Sequence, residues 1–272
     1  MTDGLRIGYI CPTYQIDQFF DYTRRSLLSF FKYTADGVAV VVDDGSTGWS
    51  VELVNKLSKT VQFAGQEIRF HHFPKNGGLT RSWNLGLQML KDLSADYAIP
   101  ANNDILFTPQ WYAGLLHALE NGYQLVGPLS NAPGVTALGK AEVWQYIPDF
   151  ELTDRAEVLR AQASYLYTKY LGRIVEANVN GFFQMAKMQT WVDGMYSKTE
   201  YYRPKNTHTS KGRNRTPLMT ANEDELQGRW TKKGWKMAVV PSSYIFHYRA
   251  VTRGSKYKRG RWFRLTDANQ EV

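Results

Sequence analysis

The stretch Ile99-Pro-Ala-Asn-Asn-Asp-Ile-Leu106 places a polar cluster, Asn102-Asn103-Asp104, between two apolar runs. This pattern is typical of a buried strand that ends in a polar turn. In an open α/β sheet, ligands bind at the carboxyl ends of the strands. A carboxylate at that position can hold a divalent cation, and the cation can hold a diphosphate. The alternative is an Asx-type turn, in which Asn and Asp side chains satisfy their own backbone.

The chain before this stretch alternates between strand-like and helix-like patterns. The apolar run at residues 38–42 is continuous, as in a parallel strand that is buried on both faces. The predicted order is strand 6–11, helix 15–33, strand 38–42, helix 49–57, strand 68–73, helix 79–93 and strand 97–101. We therefore predict an α/β fold with a wound, mostly parallel sheet flanked by helices. Polar clusters follow these strands, so they should converge at one edge of the sheet.

The second half of the chain is less regular. A helix is expected after Trp111, followed by strand 123–127, helix 152–171, strand 179–185, a polar basic loop at 201–220, helix 222–233 and strand 236–240. Gly181 lies inside a predicted strand, which indicates that another group approaches its backbone closely.

The bulk composition excludes several classes of protein. The 272 residues are 43% hydrophobic and 14% aromatic, which suits one large α/β domain with its own core. The single cysteine, Cys11, excludes a disulfide framework and a cysteine-based metal cluster, and its apolar surroundings predict a buried thiol. The sequence shows no apolar stretch of membrane-spanning length and no signal-peptide pattern. We expect no integral membrane segment and a cytoplasmic protein (in the host cytoplasm if viral), and nothing indicates an oligomeric state.

Positive charge is concentrated near the end of the chain. The net charge is +8, but residues 198–264 contain 17 Lys and Arg against 4 acids, whereas the remaining residues contain 16 and 21. Such asymmetry indicates an anionic partner. The alternative is a solvated basic tail without a ligand.

The polar clusters, taken in order, resemble the family-two glycosyltransferases of the GT-A fold. The resemblance covers roughly residues 5–248. The motifs that carry it are Ile10-Cys-Pro-Thr-Tyr14, Val41-Val-Asp-Asp-Gly-Ser-Thr47, Asn76-Gly-Gly78 with Asn84-Leu-Gly86, Asn102-Asn-Asp104, Gly181-Phe-Phe183, Glu223-Asp224 with Arg229 and Gly234, and His247. It implies inverting sugar transfer from a nucleotide-diphosphate sugar, with Mn²⁺ or Mg²⁺ as cofactor. It also implies a GT-A domain over residues 1–248, divided into a nucleotide-binding half (1–110) and an acceptor-binding half (111–248), with a basic and aromatic tail at 249–272.

The resemblance implies a nucleotide-sugar site at the ends of the first strands. Pro12 and Tyr14 would form the wall of the base pocket, and Asp44 would hydrogen-bond the base. A UDP-sugar is the donor that the resemblance favours. The residues implied to bind the nucleotide sugar are Pro12, Thr13, Tyr14, Asp43, Asp44, Asn76, Gly77, Arg81, Asn102 and Asn103.

Asp104 aligns with the final carboxylate of the family's Asp-x-Asp motif, and His247 with its second metal ligand. Both are therefore implied to bind the metal. The chain departs from the motif at Asn102, which removes one carboxylate and predicts weaker metal binding. Without the resemblance, a lone histidine such as His247 is more often a structural residue than a metal ligand.

Asp224 corresponds to the general base, with Glu223 as its rival. An inverting reaction needs one carboxylate on the acceptor side to take the proton of the acceptor hydroxyl. The alternative is that these acids only stabilise the positive end of a helix dipole. The residues expected to contact the acceptor are Gly181, Trp230, Arg213, Arg215, Arg253, Lys256, Lys258 and Arg259, and for Trp230 a place in the core is the alternative.

The acceptor is expected to be anionic because basic and aromatic residues alternate around the predicted acceptor side. This interleaving suits a nucleic acid with exposed bases. We favour modified bases of DNA as the acceptor, as in virus-type DNA glycosylation, with extrusion of the base before transfer. A cell-surface glycan or a lipid-linked sugar is the alternative acceptor. A catalytically silent nucleic-acid-binding protein on the same fold remains an alternative of another class, whereas a nucleotidyltransferase is disfavoured because no glycine- and lysine-rich loop follows the first strand.

Overall fold

Four parallel strands near the start of the chain form the centre of the sheet predicted from sequence. The computed structural model describes residues 4–61, 66–131, 153–204 and 222–248. The four strands are β1 (Ile7–Thr13), β2 (Gly37–Asp43), β3 (Glu67–His72) and β4 (Tyr97–Pro100), and their order in the sheet is β3-β2-β1-β4. Both β1 and β2 are buried along their whole length, which confirms the prediction from the continuous apolar run.

Helices connect these strands, as the alternating pattern predicted. They are α1 (Phe20–Tyr33), α2 (Val51–Val61), α3 (Leu79–Asp92) and, further on, α4 (Ala113–Glu120). The predicted start of α1 at Gln15 is wrong by about one turn. Gln15 has a φ of +54°, and its carbonyl accepts hydrogen bonds from the N–H groups of Gln18 and Phe19, so the chain makes a separate turn first.

A second sheet ends at His247, one of the two predicted metal ligands. Its strands are β5 (Ile105–Phe107), β6 (Leu125–Leu129) and β9 (Met237–His247), in the order β5-β9-β6, and a short strand β7 (Val175–Glu176) pairs with β9. The strand predicted to end at Val240 in fact continues to His247. Pro241 is tolerated because the register shifts here: Val240 pairs with Pro128 and Tyr244 with Leu129, so the residues between them form a bulge.

The predicted strand over residues 179–185 is wrong. Only two isolated bridges form there, Ala101 with Phe183 and Val126 with Met185. The strand proper is β8 (Ala186–Lys187), which pairs antiparallel with β4 and completes the first sheet. The other described helices are α5 (Ala156–Lys169), α6 (Met188–Asp193) and α7 (Asn222–Thr231).

A buried ion pair ties three elements together beside the end of β9. The Arg25 guanidinium of α1 donates to the Asp154 carboxylate over 2.7 Å, and both side chains are buried. The Tyr248 hydroxyl donates to the same carboxylate over 2.9 Å. A buried ion pair needs such added hydrogen bonds to offset its desolvation. The network therefore fixes the chain immediately after His247.

Cys11 is buried in β1, as predicted, and burial raises the pKa of its thiol to about 12, which keeps it protonated.

Across the ranges that the structure describes, the longest apolar helical stretch falls short of what crossing a bilayer requires.

Candidate active site

Asp104 and His247, the two predicted metal ligands, lie side by side. Strand β5 pairs antiparallel with β9, with Ile105 opposite His247, so the strand pairing itself brings Asp104 to the imidazole. His247 Nε2 lies 3.2 Å from Asp104 Oδ1 and 3.1 Å from Asn102 Nδ2. The Asn102 amide nitrogen only donates and the Asp104 carboxylate only accepts, so the two contacts require opposite roles of His247 Nε2. A metal ion would bind Nε2 in its unprotonated form.

The backbone and ring of His247 are held in place by two residues that the sequence did not single out for this task. The His247 N–H donates to Asn131 Oδ1 over 2.8 Å, and Asn131 Nδ2 donates to the His247 carbonyl over 3.0 Å. The Phe182 ring stacks on the imidazole with a centroid distance of 5.2 Å and an interplanar angle of 15°. The imidazole is therefore oriented before any ligand arrives.

The chemistry of this donor set fits a divalent metal ion. A carboxylate oxygen suits Mn²⁺ and Mg²⁺, and an adjacent imidazole nitrogen favours the transition metal of the two. Among the described residues, no group of three or more His, Cys, Asp or Glu side chains could hold a metal ion. Asp104 and His247 would therefore supply two ligands, and the remaining positions would be filled by diphosphate oxygens and water.

Asn103 does not join this group. Its side-chain amide donates to the Thr23 hydroxyl in α1 over 3.0 Å, and both residues are buried. The Asn103 side chain thus anchors the turn to α1, and its contact with the nucleotide sugar stays a prediction. Asn102 is anchored through its backbone instead, because its carbonyl accepts from the Tyr9 hydroxyl over 2.8 Å.

The predicted convergence of strand ends is confirmed at Asp44. Its carboxylate accepts hydrogen bonds from the backbone N–H groups of Gly77 (2.9 Å) and Gly78 (2.7 Å) and from the Arg81 guanidinium (2.5 Å). The turn after β2 is thereby joined to the loop before α3. Gly45 makes this close approach possible: its φ is +83°, and a Cβ there would lie 2.5 Å from the backbone nitrogen of Asn76.

Asp43 is a structural carboxylate. It is completely buried and accepts hydrogen bonds from the Thr13 hydroxyl (2.9 Å), the Ser46 N–H (2.8 Å) and His72 Nδ1 (2.8 Å). These bonds occupy most of its acceptor capacity. These bonds shape the turn that presents Asp44, and the ligand contacts of Asp43 and Thr13 stay predictions.

The predicted base pocket has one exposed aromatic side chain. Tyr14 follows β1 directly and is 40% exposed, whereas Pro12 is buried within β1. The Arg81 guanidinium lies 3.7 Å from the centre of the Phe73 ring. We call Tyr14, Asp44, Gly77 and Arg81, which line this end of the sheet, the nucleotide side of the site.

Glu223 lies beside Gly181, which confirms the expectation that another group approaches the Gly181 backbone closely. A Cβ on Gly181 would lie 2.8–3.1 Å from the atoms of the Glu223 carboxyl group, so a larger residue would displace that end of the Glu223 side chain. Neighbouring Asp224 is half-buried, and burial raises the pKa of its carboxyl group. Both acids lie in the first turn of α7, where the helix dipole favours a negative charge. We call Gly181, Glu223 and Asp224 the acceptor side.

Trp230 was predicted to contact the acceptor, and this prediction is wrong. Its side chain is completely buried, its indole N–H donates to the Gly194 carbonyl over 3.0 Å, and its ring packs against Trp191. The apolar spacing of α7 places Trp230 on the face that joins the core. The other predicted acceptor contacts lie outside the described residues: Arg213, Arg215, Arg253, Lys256, Lys258 and Arg259.

The sequence analysis missed Asn131, His72 and Gln227, whose amide bonds to the backbone of Val179. For Asn131 a signal existed, because it follows a strand at the carboxyl edge of a sheet, as Asp44 and Asp104 do. For the other two we find no signal, since nothing local distinguishes a buried Gln on a helix or a His on an edge strand.

Known proteins share the family and the fold of this chain. Residues 10–178 match the family model described as glycosyl transferase family 2. The structure resembles that of GalNAc-T7 with UDP, GalNAc and Mn²⁺, with a TM-score of 0.62 and 16% identity over 91% of this chain and 44% of that one. It also resembles S. aureus TarS 1–349 (TM-score 0.52, 13% identity, 89% of this chain and 60% of that one) and a second S. aureus TarS structure (0.53, 14%, 89% and 36%). No curated protein sequence matches the chain significantly.

At these identities the likeness establishes the fold alone, which is the GT-A arrangement of a mostly parallel sheet flanked by helices. The chain spans between 36% and 60% of the length of these solved structures.

Proposed function

This chain belongs to glycosyl transferase family 2, and on that premise we propose that it is a metal-dependent, inverting enzyme that moves a sugar from a nucleotide-diphosphate sugar to a hydroxyl acceptor. The observation that supports the proposal most strongly is the buried contact of Asp104 with His247 at paired strand ends. An oxygen and an imidazole nitrogen held together in this way suit a metal ion that binds a diphosphate.

The proposed donor is a UDP-sugar. The GalNAc-T7 structure with UDP, GalNAc and Mn²⁺ supports this choice by similarity of fold. In this chain the uracil would lie between Tyr14 and Arg81, with Asp44 at its edge. Asp104 and His247 would hold Mn²⁺ or Mg²⁺, and that ion, when bound, stabilises the charge that develops on the departing diphosphate.

Asp224 would act as the general base. It accepts the proton of the acceptor hydroxyl, while the hydroxyl oxygen forms a bond to the anomeric carbon. The bond from that carbon to the diphosphate oxygen breaks, and its electron pair leaves with the diphosphate. Attack opposite the leaving group inverts the configuration. Burial raises the pKa of Asp224, which makes it a stronger base than an ordinary aspartate.

The proposed acceptor is anionic, with modified bases of DNA as the favoured class. The support is the composition of residues 198–264, which contain 17 basic and 4 acidic residues. A surface glycan or lipid-linked sugar is the second candidate acceptor. We also propose that residues 1–110 bind the nucleotide and residues 111–248 the acceptor, with residues 249–272 as an added basic segment.

The test is release of UDP from a series of UDP-sugars in the presence of Mn²⁺. The wild-type protein should release UDP, and the Asp104→Ala variant should not. DNA binding that weakens steeply with salt, without hydrolysis of any nucleotide sugar, would identify the alternative of a catalytically silent nucleic-acid-binding protein. Absence of salt-dependent DNA binding would rule out DNA as the acceptor.

A further inference from the structure

Gln227 joins α7 to the backbone of Val179 through both the oxygen and the nitrogen of its side-chain amide. The Val179 N–H donates to Gln227 Oε1 over 2.6 Å, and Gln227 Nε2 donates to the Val179 carbonyl over 2.9 Å. The same Nε2 donates to the Glu223 carbonyl over 3.1 Å. Gln227 is only 2% exposed, so water does not compete for these bonds. One side chain thus satisfies both backbone groups of Val179, as a neighbouring strand would.

From this clamp, residues 179–183 run directly to the predicted metal site. Gly181, which lacks a side chain, leaves space for the carboxyl group of Glu223. The Phe182 carbonyl accepts a hydrogen bond from the Asn102 N–H over 2.9 Å, and the Phe182 ring stacks on His247. The segment therefore touches both the acceptor side and the metal-binding pair.

We propose that Gln227 is a positioning residue that sets the distance between the carboxylates of α7 and the Asp104–His247 pair by clamping residues 179–183. This inference rests on the proposed function. Its physical reason is that displacing a reacting group by about 1 Å can reduce the rate about 100-fold even when binding is unchanged. Residues 179–183 lack regular strand pairing, so their place depends on such side-chain bonds.

The test compares Gln227→Met with Gln189→Met in the full chain. Methionine preserves the length of the side chain but removes all three hydrogen bonds. Gln189 is the matched control because it is an exposed glutamine on α6, whose amide bonds only to Asp193 on the same helix among its contacts in the structure. Gln227→Glu provides a second variant of the same shape: its carboxyl group, kept protonated by burial, can accept from the Val179 N–H but has one hydrogen to donate where the amide has two.

Three measurements follow. Amide hydrogen exchange should become at least about 10-fold faster over residues 179–183 and at Asn102 in Gln227→Met, and remain unchanged in β4. Calorimetric binding of UDP with Mn²⁺ should stay within about 2-fold of wild type, with full stoichiometry. For the UDP-sugar that the wild type hydrolyses fastest, kcat should fall about 10- to 100-fold while KM stays within about 2-fold. Gln227→Glu should fall between Gln227→Met and wild type, and Gln189→Met should match wild type in every measurement.

The proposal is overturned if exchange over residues 179–183 is unchanged in both Gln227 variants. It is equally overturned if kcat falls only in proportion to the UDP-binding stoichiometry, because that result indicates general unfolding. If the wild type hydrolyses no nucleotide sugar, the proposed function fails on its own, and hydrogen exchange still decides whether Gln227 couples α7 to Asn102.

Discussion

On the nucleotide side, carboxylates are held by hydrogen bonds that stabilise the fold, whereas on the acceptor side a carboxylate is held at some cost to stability. Asp44 accepts from two backbone N–H groups and from Arg81. Asp224 is instead half-buried, and burial raises the pKa of its carboxyl group, so its ionised form is disfavoured in the folded protein. The proposed function assigns binding of the nucleotide to the first side and the proton transfer to the second.

The two sides also differ in how the chain builds them. The nucleotide side lies at the ends of consecutive parallel strands, where the βα repeat determines the position of each turn. The acceptor side depends on an irregular segment and on contacts such as that between Val179 and Gln227, which are 48 residues apart in sequence. Substitutions on the two sides should therefore differ in whether they mainly affect stability or activity.

The largest effect is expected from removing the carboxylate of Asp104, the proposed metal ligand. In Asp104→Asn, Mn²⁺-dependent turnover of the UDP-sugar should fall about 1,000-fold, because the metal supplies several kcal/mol of transition-state stabilisation. Steady-state UDP release, with and without a chelator, measures this effect. Asp36→Asn, at an exposed position, is the matched control and should behave as wild type. Equal turnover of Asp104→Asn and wild type would exclude Asp104 as a metal ligand.

The next effect should separate activity from stability on the acceptor side. Turnover by Asp224→Asn should fall about 100- to 1,000-fold, as expected for loss of a general base. The folded state of the wild type binds the Asp224 proton more tightly than the unfolded state, so its stability falls as pH rises through the raised pKa. Asp224→Asn should therefore have a higher Tm than wild type at pH 7, and this advantage should vanish below the pKa of an unfolded aspartate.

Wild-type kcat should decline as the pH falls, because protonated Asp224 cannot act as a base. Since the pKa of Asp224 is raised, this decline should begin at a higher pH than it would for an aspartate with an ordinary pKa. Thermal melts and kcat across the acidic range, with Asp193→Asn as an exposed control, measure both trends. Retained transfer in Asp224→Asn, with loss in Glu223→Gln, would assign the base to Glu223.

On the nucleotide side, the main effect should be on stability. Asp44→Ala leaves two backbone N–H groups and the Arg81 guanidinium without their acceptor. We expect the free energy of unfolding to fall by about 2–4 kcal/mol, together with weaker UDP binding. Denaturant titration measures the first quantity, and Asp36→Ala is the control. If Asp44→Ala unfolded at the same denaturant concentration as wild type, the contrast between the two sides would be lost.

The smallest effect is expected from a single added methyl group on the acceptor side. Gly181→Ala would place a Cβ 2.8 Å from the carboxyl carbon of Glu223, which must then move. Turnover should fall about 3- to 10-fold, which corresponds to roughly 1 kcal/mol of misplacement. Gly228→Ala in α7 is the control: no atom lies within 4 Å of its Cβ position, so it should leave turnover unchanged and stabilise the helix by up to about 1 kcal/mol. A larger loss in Gly228→Ala than in Gly181→Ala would refute this packing argument.

The sequence predicted the first half of the fold well because local pattern and tertiary structure agree there. Continuous apolar runs became β1 and β2, and the turns that follow β2 and β3 met at Asp44. In the second half the pattern was misleading. Residues 179–185 have the composition of a strand, but Gln227 and the backbone of β4 and β6 satisfy their polar groups instead. The length of β9 was underestimated because Pro241 suggests an end, and the bulge that accommodates it depends on β6.

For the site, the sequence identified residue types in turns but could not distinguish a ligand from a support. Asp43 and Asp44 are adjacent and identical, yet one is buried beneath the turn and the other holds the neighbouring loop. Trp230 has an aromatic side chain of the kind that can bind an acceptor, but its position on α7 places it on the buried face of the helix. Such differences depend on which face each side chain occupies, and for a single residue in a turn no periodicity reveals that face.

The central claim is that Asp104 and His247 anchor a nucleotide diphosphate through a divalent metal. Calorimetric titration of UDP into the wild type and Asp104→Asn, with and without Mn²⁺, tests it most directly. We predict that Mn²⁺ tightens UDP binding at least about 10-fold in the wild type and in Asp36→Asn, and that this gain is absent in Asp104→Asn. An equal gain from Mn²⁺ in Asp104→Asn would contradict the claim.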